Sequence, residues 1–141
     1  MDIRDYAKMP ARFSWGGVDG EDCTTWCATY ARLLTGKDPA EAFRGTYSDR
    51  EGALLLIARH GSLYDLVAPI LIEQGWHRVI EPRSGDMAII NAITGATEGE
   101  PVYGNIAALR FGPLWSVMSE AGPSGIADRK ARLVACWRWQ A

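Results

Sequence analysis

The chain has 141 residues, of which 48% are hydrophobic and 23% charged, with a formal net charge of -2 at pH 7. That composition is too apolar for a disordered tail and too evenly charged for a nucleic-acid binder driven by bulk charge. Its length fits one domain, and it contains no run of about 18 apolar residues that would predict a membrane span.

Residues 1–12 are expected to form an N-terminal arm, and residues 13–141 a single domain. Tyr6 and Met9 in the arm have no evident core role. The opening Met1-Asp2-Ile3-Arg4-Asp5 lacks an apolar h-region, so no signal peptide is expected. Asp22 is a good N-cap, and Cys23, Trp26, Cys27, Tyr30 and Leu34 then follow helical spacing up to a Gly36 stop. Asp38-Pro39 restarts a short helical piece. Ser48 and Glu51 form a capping-box pattern ahead of a helix that Gly61 ends. Ser62 starts another helix to Gly75, which Pro69 should kink or split.

From residue 76 the period changes. Met87–Ile93 is a nearly continuous apolar run bracketed by Gly85 and Gly95, and reads as a strand. Asn105–Phe111 and Leu114–Met118 are further strand candidates. Leu133, Ala135, Trp137 and Trp139 alternate with Arg132, Val134, Cys136 and Arg138, which predicts a last strand with an aromatic inner face. The turn-rich Ala121-Gly122-Pro123-Ser124-Gly125 is expected to project as a loop. Short connections imply antiparallel neighbours, and helices followed by an antiparallel sheet predict an α+β layout.

Cys23 is the leading candidate for chemistry. It occupies the first helical position, where free N–H groups and the helix dipole favour a thiolate and lower its pKa. It suits a small buried apolar position equally well. Cys27 and Cys136 read as structural. A cysteine nucleophile needs a base, and only His60 and His77 are present. His60 suits a helix C-terminus, whereas His77 can act only if its segment folds over the Cys23 helix. No zinc-type spacing, phosphate loop or dinucleotide fingerprint is present, so no metal and no cofactor are expected.

Phe13-Ser14-Trp15-Gly16-Gly17, then Asp22-Cys23 at the head of a helix, resembles the opening of the NlpC-type cell-wall peptidases, which are papain-like cysteine hydrolases. Gly85-Asp86-Met87-Ala88-Ile89-Ile90 resembles their Gly-Asp strand. Tyr103-Gly104-Asn105-Ile106 matches the strand that begins with the family's base histidine. The likeness spans residues 13–112 and implies N-terminal helices packed on a C-terminal antiparallel sheet. It is closer still to small proteins of this fold encoded near tail genes in phages and prophages. These share the Trp-Gly-Gly, Asp-Cys and Gly-Asp elements, the spacing to Tyr47 and a closing Trp-Arg strand.

The chain departs from the family pattern at the positions that matter for catalysis. Phe13 replaces a tyrosine, Thr24-Thr25 replace Ser-Gly, and Tyr103 stands at the base position. A phenol with an ordinary pKa near 10 is a poor proton acceptor at neutral pH. The resemblance therefore implies a degenerate cysteine peptidase acting as a structural or assembly protein of a phage tail, with neighbouring tail proteins as partners. It would reside in the bacterial cytoplasm during assembly and then in the virion. The alternative is an active cysteine amidase or endopeptidase on peptidoglycan peptides. No nucleic-acid partner is expected.

Overall fold

The computed structural model describes residues 1–97 and 100–140. Among them, helices α1 (Ile3–Lys8), α2 (Cys23–Thr35), α3 (Arg50–His60) and α4 (Leu63–Glu73) come first in the chain. Strands β1 (Trp76–Arg78), β2 (Met87–Thr97), β3 (Glu100–Phe111), β4 (Leu114–Ser119), β5 (Gly122–Ala127) and β6 (Arg132–Trp139) follow. The strands form one sheet in the order β1-β6-β2-β3-β4-β5, antiparallel at every pairing. The expected α+β class, helices then antiparallel sheet, is what the chain adopts.

Local chemistry accounts for the helix ends. Asp22 caps α2 by accepting from the Thr24 and Thr25 N–H groups, and Thr25 Oγ1 accepts from the Asp22 N–H in return. Gly36 ends α2 at φ 84°, a conformation that costs glycine little. The α3 cap is Asp49 rather than the expected Ser48, with its side chain on the Gly52 N–H. The 62–75 segment does not split at Pro69, because α4 runs through it. Pro69 and Asp65 both lie on the solvent side, so water replaces the helical partner that the Asp65 carbonyl loses.

Sheet parity divides the interior. Met87 and Ile89 of β2, Ala107 and Leu109 of β3, and Ala135 and Trp137 of β6 meet Trp26, Cys27, Tyr30 and Ala31 of α2 and Leu66 and Leu71 of α4. Ala88, Ile90, Ala92, Ala108 and Cys136 face the other way and pack with Trp115 and Val117 of β4. Trp26, Trp76, Trp115 and Trp137 are fully buried. Each removes about 200 Å² from water, about 5 kcal/mol of gross transfer energy before chain entropy is counted.

Three expectations are corrected here. The N-terminal residues are not a coreless arm: Ile3 and Tyr6 of α1 are buried in the main core, and Tyr6 donates a hydrogen bond of 2.5 Å to the Trp26 carbonyl. Met9 does remain exposed. The 121–125 segment is not a projecting loop, because most of it forms β5, paired along β4 from Ser119↔Gly122 to Leu114↔Ala127. Leu133 does not share a face with Ala135. A register shift opposite Ile89/Ile90 turns Leu133 onto the second cluster and Val134 onto the first.

Tyr6→Phe is expected to cost about 1–2 kcal/mol, the loss of one buried hydrogen bond at nearly constant volume. Urea unfolding followed by circular dichroism measures it. A cost indistinguishable from zero would mean that α1 does not hold this position in solution. Among the described residues, no single helix is long and apolar enough to cross a membrane.

Candidate active site

Cys23 is the first residue of α2, which packs on the sheet that contains β2. The turn before it is built by glycines. Gly16 and Gly17 have φ 85° and 70°, and a Cβ on Gly16 would sit 2.2 Å from the Tyr47 carbonyl oxygen. The Trp-Gly-Gly element therefore lets three backbone segments converge, as a side chain at residue 16 would not.

They converge on the Asp22 carboxylate, which is 1% exposed. Its Oδ1 accepts from the Thr24 N–H at 3.0 Å and the Thr25 N–H at 2.8 Å. Its Oδ2 accepts from the Gly16 N–H at 3.1 Å and the Tyr47 hydroxyl at 2.5 Å. The Trp-Gly-Gly, Asp-Cys and Tyr47 positions thus form one polar knot at the N-terminus of α2.

A second cluster clamps the 36–47 connection that carries Tyr47. Arg44 donates from Nε to Asp38 at 2.7 Å and from a terminal nitrogen to Thr29 Oγ1 at 2.9 Å. Thr29 in turn donates to Glu21, which also lies 3.6 Å from the guanidinium. Burial holds the Glu21 carboxyl above the usual carboxylate range, against the hydrogen bonds from Thr29 and Thr25 and the charge of Arg44. The 38–44 stretch is a run of turns tied down by Asp38, not the short helix expected there.

The thiol of Cys23 is pushed up, not down, by this setting. Burial is the largest cause and the Asp22 carboxylate the next. The expectation of an activated thiolate fails for a physical reason. Burial disfavours the charged thiolate and Asp22 sets a negative charge beside the sulfur, which together outweigh the backbone N–H groups of Cys23 and Thr24. Hydrogen bonding to Thr24, whose Oγ1 lies 3.9 Å from the sulfur, only partly offsets this. Cys27, one turn on, is fully buried with its thiol well above the ordinary value, first through burial and then through Cys23. Cys23, Cys27 and Cys136 are all free thiols.

No base is delivered to Cys23. Among the described residues, the groups that hydrogen-bond its sulfur are Thr24 and its own backbone N–H. His77 is exposed on β1, opposite Arg138. His60 closes α3, with Nδ1 3.0 Å from the Leu56 carbonyl and its ring edge-on to Phe43. Tyr103 is 61% exposed on β3 opposite Ile93, on the part of the β2–β3 hairpin that extends past the pairing with β6. Inward along the same strand face, Asn105 accepts from Asn91 at 3.1 Å. Tyr103 and Asn105 thus place a phenol and an amide side by side on this strand face.

The Gly-Asp and Trp-Arg elements meet far from Cys23 in sequence. Asp86 is 1% exposed and receives both Nε and a terminal nitrogen of Arg138, at 2.8 and 2.7 Å. Its Oδ2 also accepts from the Arg83 N–H at 2.7 Å and from the Cys136 thiol at 3.8 Å. Burial and the adjacent Asp86 push Cys136 up to about 12. Arg138 continues to the Glu81 carbonyl at 3.0 Å. Asp86 is thus the joint between β2 and β6, a positioning group rather than a reacting one.

Sequence reasoning named neither Arg44 nor Glu21. Their signal is a pair of charged residues flanking an N-cap on opposite sides of α2, which only folding brings together. The family model for a domain of unknown function, DUF6950, matches residues 4–139. No curated protein and no solved structure matches the chain.

Proposed function

We propose, from the premise that the chain belongs to the DUF6950 family of domains of unknown function, that it is a non-hydrolytic papain-like domain of the NlpC type. It serves as a structural or assembly component of a phage or prophage tail. The observation that carries the loss of hydrolysis is the environment of Cys23. Burial and Asp22 push its thiol up, and no imidazole is bonded to it among the described residues. Cysteine hydrolysis needs a thiolate and a proton carrier for the leaving amine. The knot around Asp22 supplies neither, since all its members are already committed to holding the turn. The tail role is supported by the likeness of the Trp-Gly-Gly, Asp-Cys, Gly-Asp and Trp-Arg elements to phage-encoded proteins near tail genes.

Purified chain is expected to release no peptide or amine from peptidoglycan, and Cys23→Ala is expected to leave tail assembly unchanged. The alkylation rate of Cys23 by iodoacetamide should rise about tenfold per pH unit without a plateau below pH 9, because a raised pKa keeps the thiolate scarce across that range. Mass spectrometry of pH-quenched samples reads this rate site by site. Robust peptidoglycan cleavage abolished by Cys23→Ala, with a reactivity plateau near neutral pH, would establish the active amidase instead.

A further inference from the structure

We infer that the outer face of α3 is a self-association surface that pairs antiparallel with α3 of a second copy of this chain. The first observation is an inverted burial pattern. No residue of α3 is fully buried, yet its centre is Ala53-Leu54-Leu55-Leu56-Ile57. Gly52, Ala53, Leu56 and Ile57 are partly buried against the domain, while Leu54 and Leu55 stand 51% and 60% exposed on the other side. A helix that is apolar all round has two faces to cover, and this domain covers one.

The second observation names the occupant. At 100° per residue, Glu51, Leu55, Ala58 and Arg59 fall within an arc of about 100°. Glu51, Leu55 and Arg59 make one i±4 ridge, with an acid four residues before the central leucine and a base four residues after it. Reversing the direction of this ridge exchanges the signs of its two ends. An antiparallel copy centred on Leu55 therefore sets each Glu51 against an Arg59 on both sides of the axis. The parallel ridge of Leu54 and Ala58 borders a groove that receives the Leu55 side chain of the second copy, in the crossing of about 50° that such ridges favour. The pairing is isologous, as closed dimers require. Among the described residues, neither Glu51 nor Arg59 forms an ion pair within the chain. The helix dipoles also oppose one another in this arrangement.

Eleven residues make a helix only about 16 Å long, below the contact area of a permanent dimer. The association is accordingly weak and concentration-dependent, suited to subunits held close in an assembly. It does not depend on whether Cys23 hydrolyses anything, so it stands or falls apart from the tail reading.

Sedimentation equilibrium on the full chain tests it. The wild type is expected to dimerise at about 10–100 µM. Leu55→Glu, Glu51→Arg and Arg59→Glu should each weaken dimerisation at least about tenfold: the two charge reversals each place two repulsive contacts across the axis, and Leu55→Glu sets two like charges together at its centre. Far-ultraviolet circular dichroism should be unchanged, because these side chains are exposed. The decisive arm is mixing. Glu51→Arg carries two bases and Arg59→Glu two acids, so the two singly impaired variants should form a heterodimer with each other. A wild type monomeric at about 1 mM, or impaired variants that stay apart when mixed, overturns the proposal.

Discussion

Asp22→Ala is expected to cost about 3–5 kcal/mol, enough to bring a domain of ordinary stability close to unfolding. Helix capping alone accounts for about 1 kcal/mol of that. The rest comes from the groups left behind. The Gly16 N–H and the Tyr47 hydroxyl lose their shared acceptor in a place water does not reach. Burial, the largest cause that raises the Tyr47 phenol, remains after Asp22 is gone, so the hydroxyl is left as a donor without an acceptor. Melting should fall by about 10–15 °C for a domain of this size. Asp22→Asn separates the contributions. Its carbonyl oxygen still caps the Thr24 and Thr25 N–H groups, while its amide nitrogen faces the Gly16 donor, so about half the loss should return. Thermal unfolding of both variants measures the split. A loss below about 1 kcal/mol for Asp22→Ala would show that the knot opens to water.

Arg138→Ala should be as damaging, at about 3–5 kcal/mol, because it leaves the Asp86 carboxylate buried without its counter-charge. Removing both partners should cost less than the sum of the single losses. Asp86→Ala with Arg138→Met takes away charge and counter-charge together and keeps an apolar stem where the arginine chain ran. A double-mutant cycle by urea unfolding is expected to show about 2–3 kcal/mol of coupling. Coupling near zero would mean that the two side chains contribute separately and that β2 and β6 are joined by their backbone ladder alone.

What was legible in the sequence was set locally. The Asp22 cap, the Gly36 stop and the β2 run all follow from residues within a turn or two of one another. β5 was not legible because Gly122-Pro123-Ser124-Gly125 has the composition of a turn, and only pairing with β4 makes it a strand. Tyr6 was placed outside the core because its partner, the Trp26 carbonyl, lies 20 residues on. The Cys23 thiol shows the same division. The helix-dipole rule is local and points to a low pKa. The burial that raises it is a product of the whole folded chain and is not read from the first turn of α2. Tyr103 shows the same division: the residue is plain in the sequence, but its exposure on the hairpin beyond the β6 pairing is not.

The place of β6 in the sheet bears on how the domain comes into being. Residues 132–139 form the last of the described strands in chain order, yet they pair with β1 on one side and β2 on the other. Until they emerge from the ribosome, β1 has no neighbour, Asp86 has no cation, and Trp76 lacks the strand it pairs with. The sheet is therefore completed only when β6 inserts between β1 and β2. That closure joins positions 52 residues apart, so it carries a larger loop-closure cost than the β2–β3 and β4–β5 hairpins. Before it, the inner edge of β2 is bare, and a second nascent copy offers the same strand to fill it.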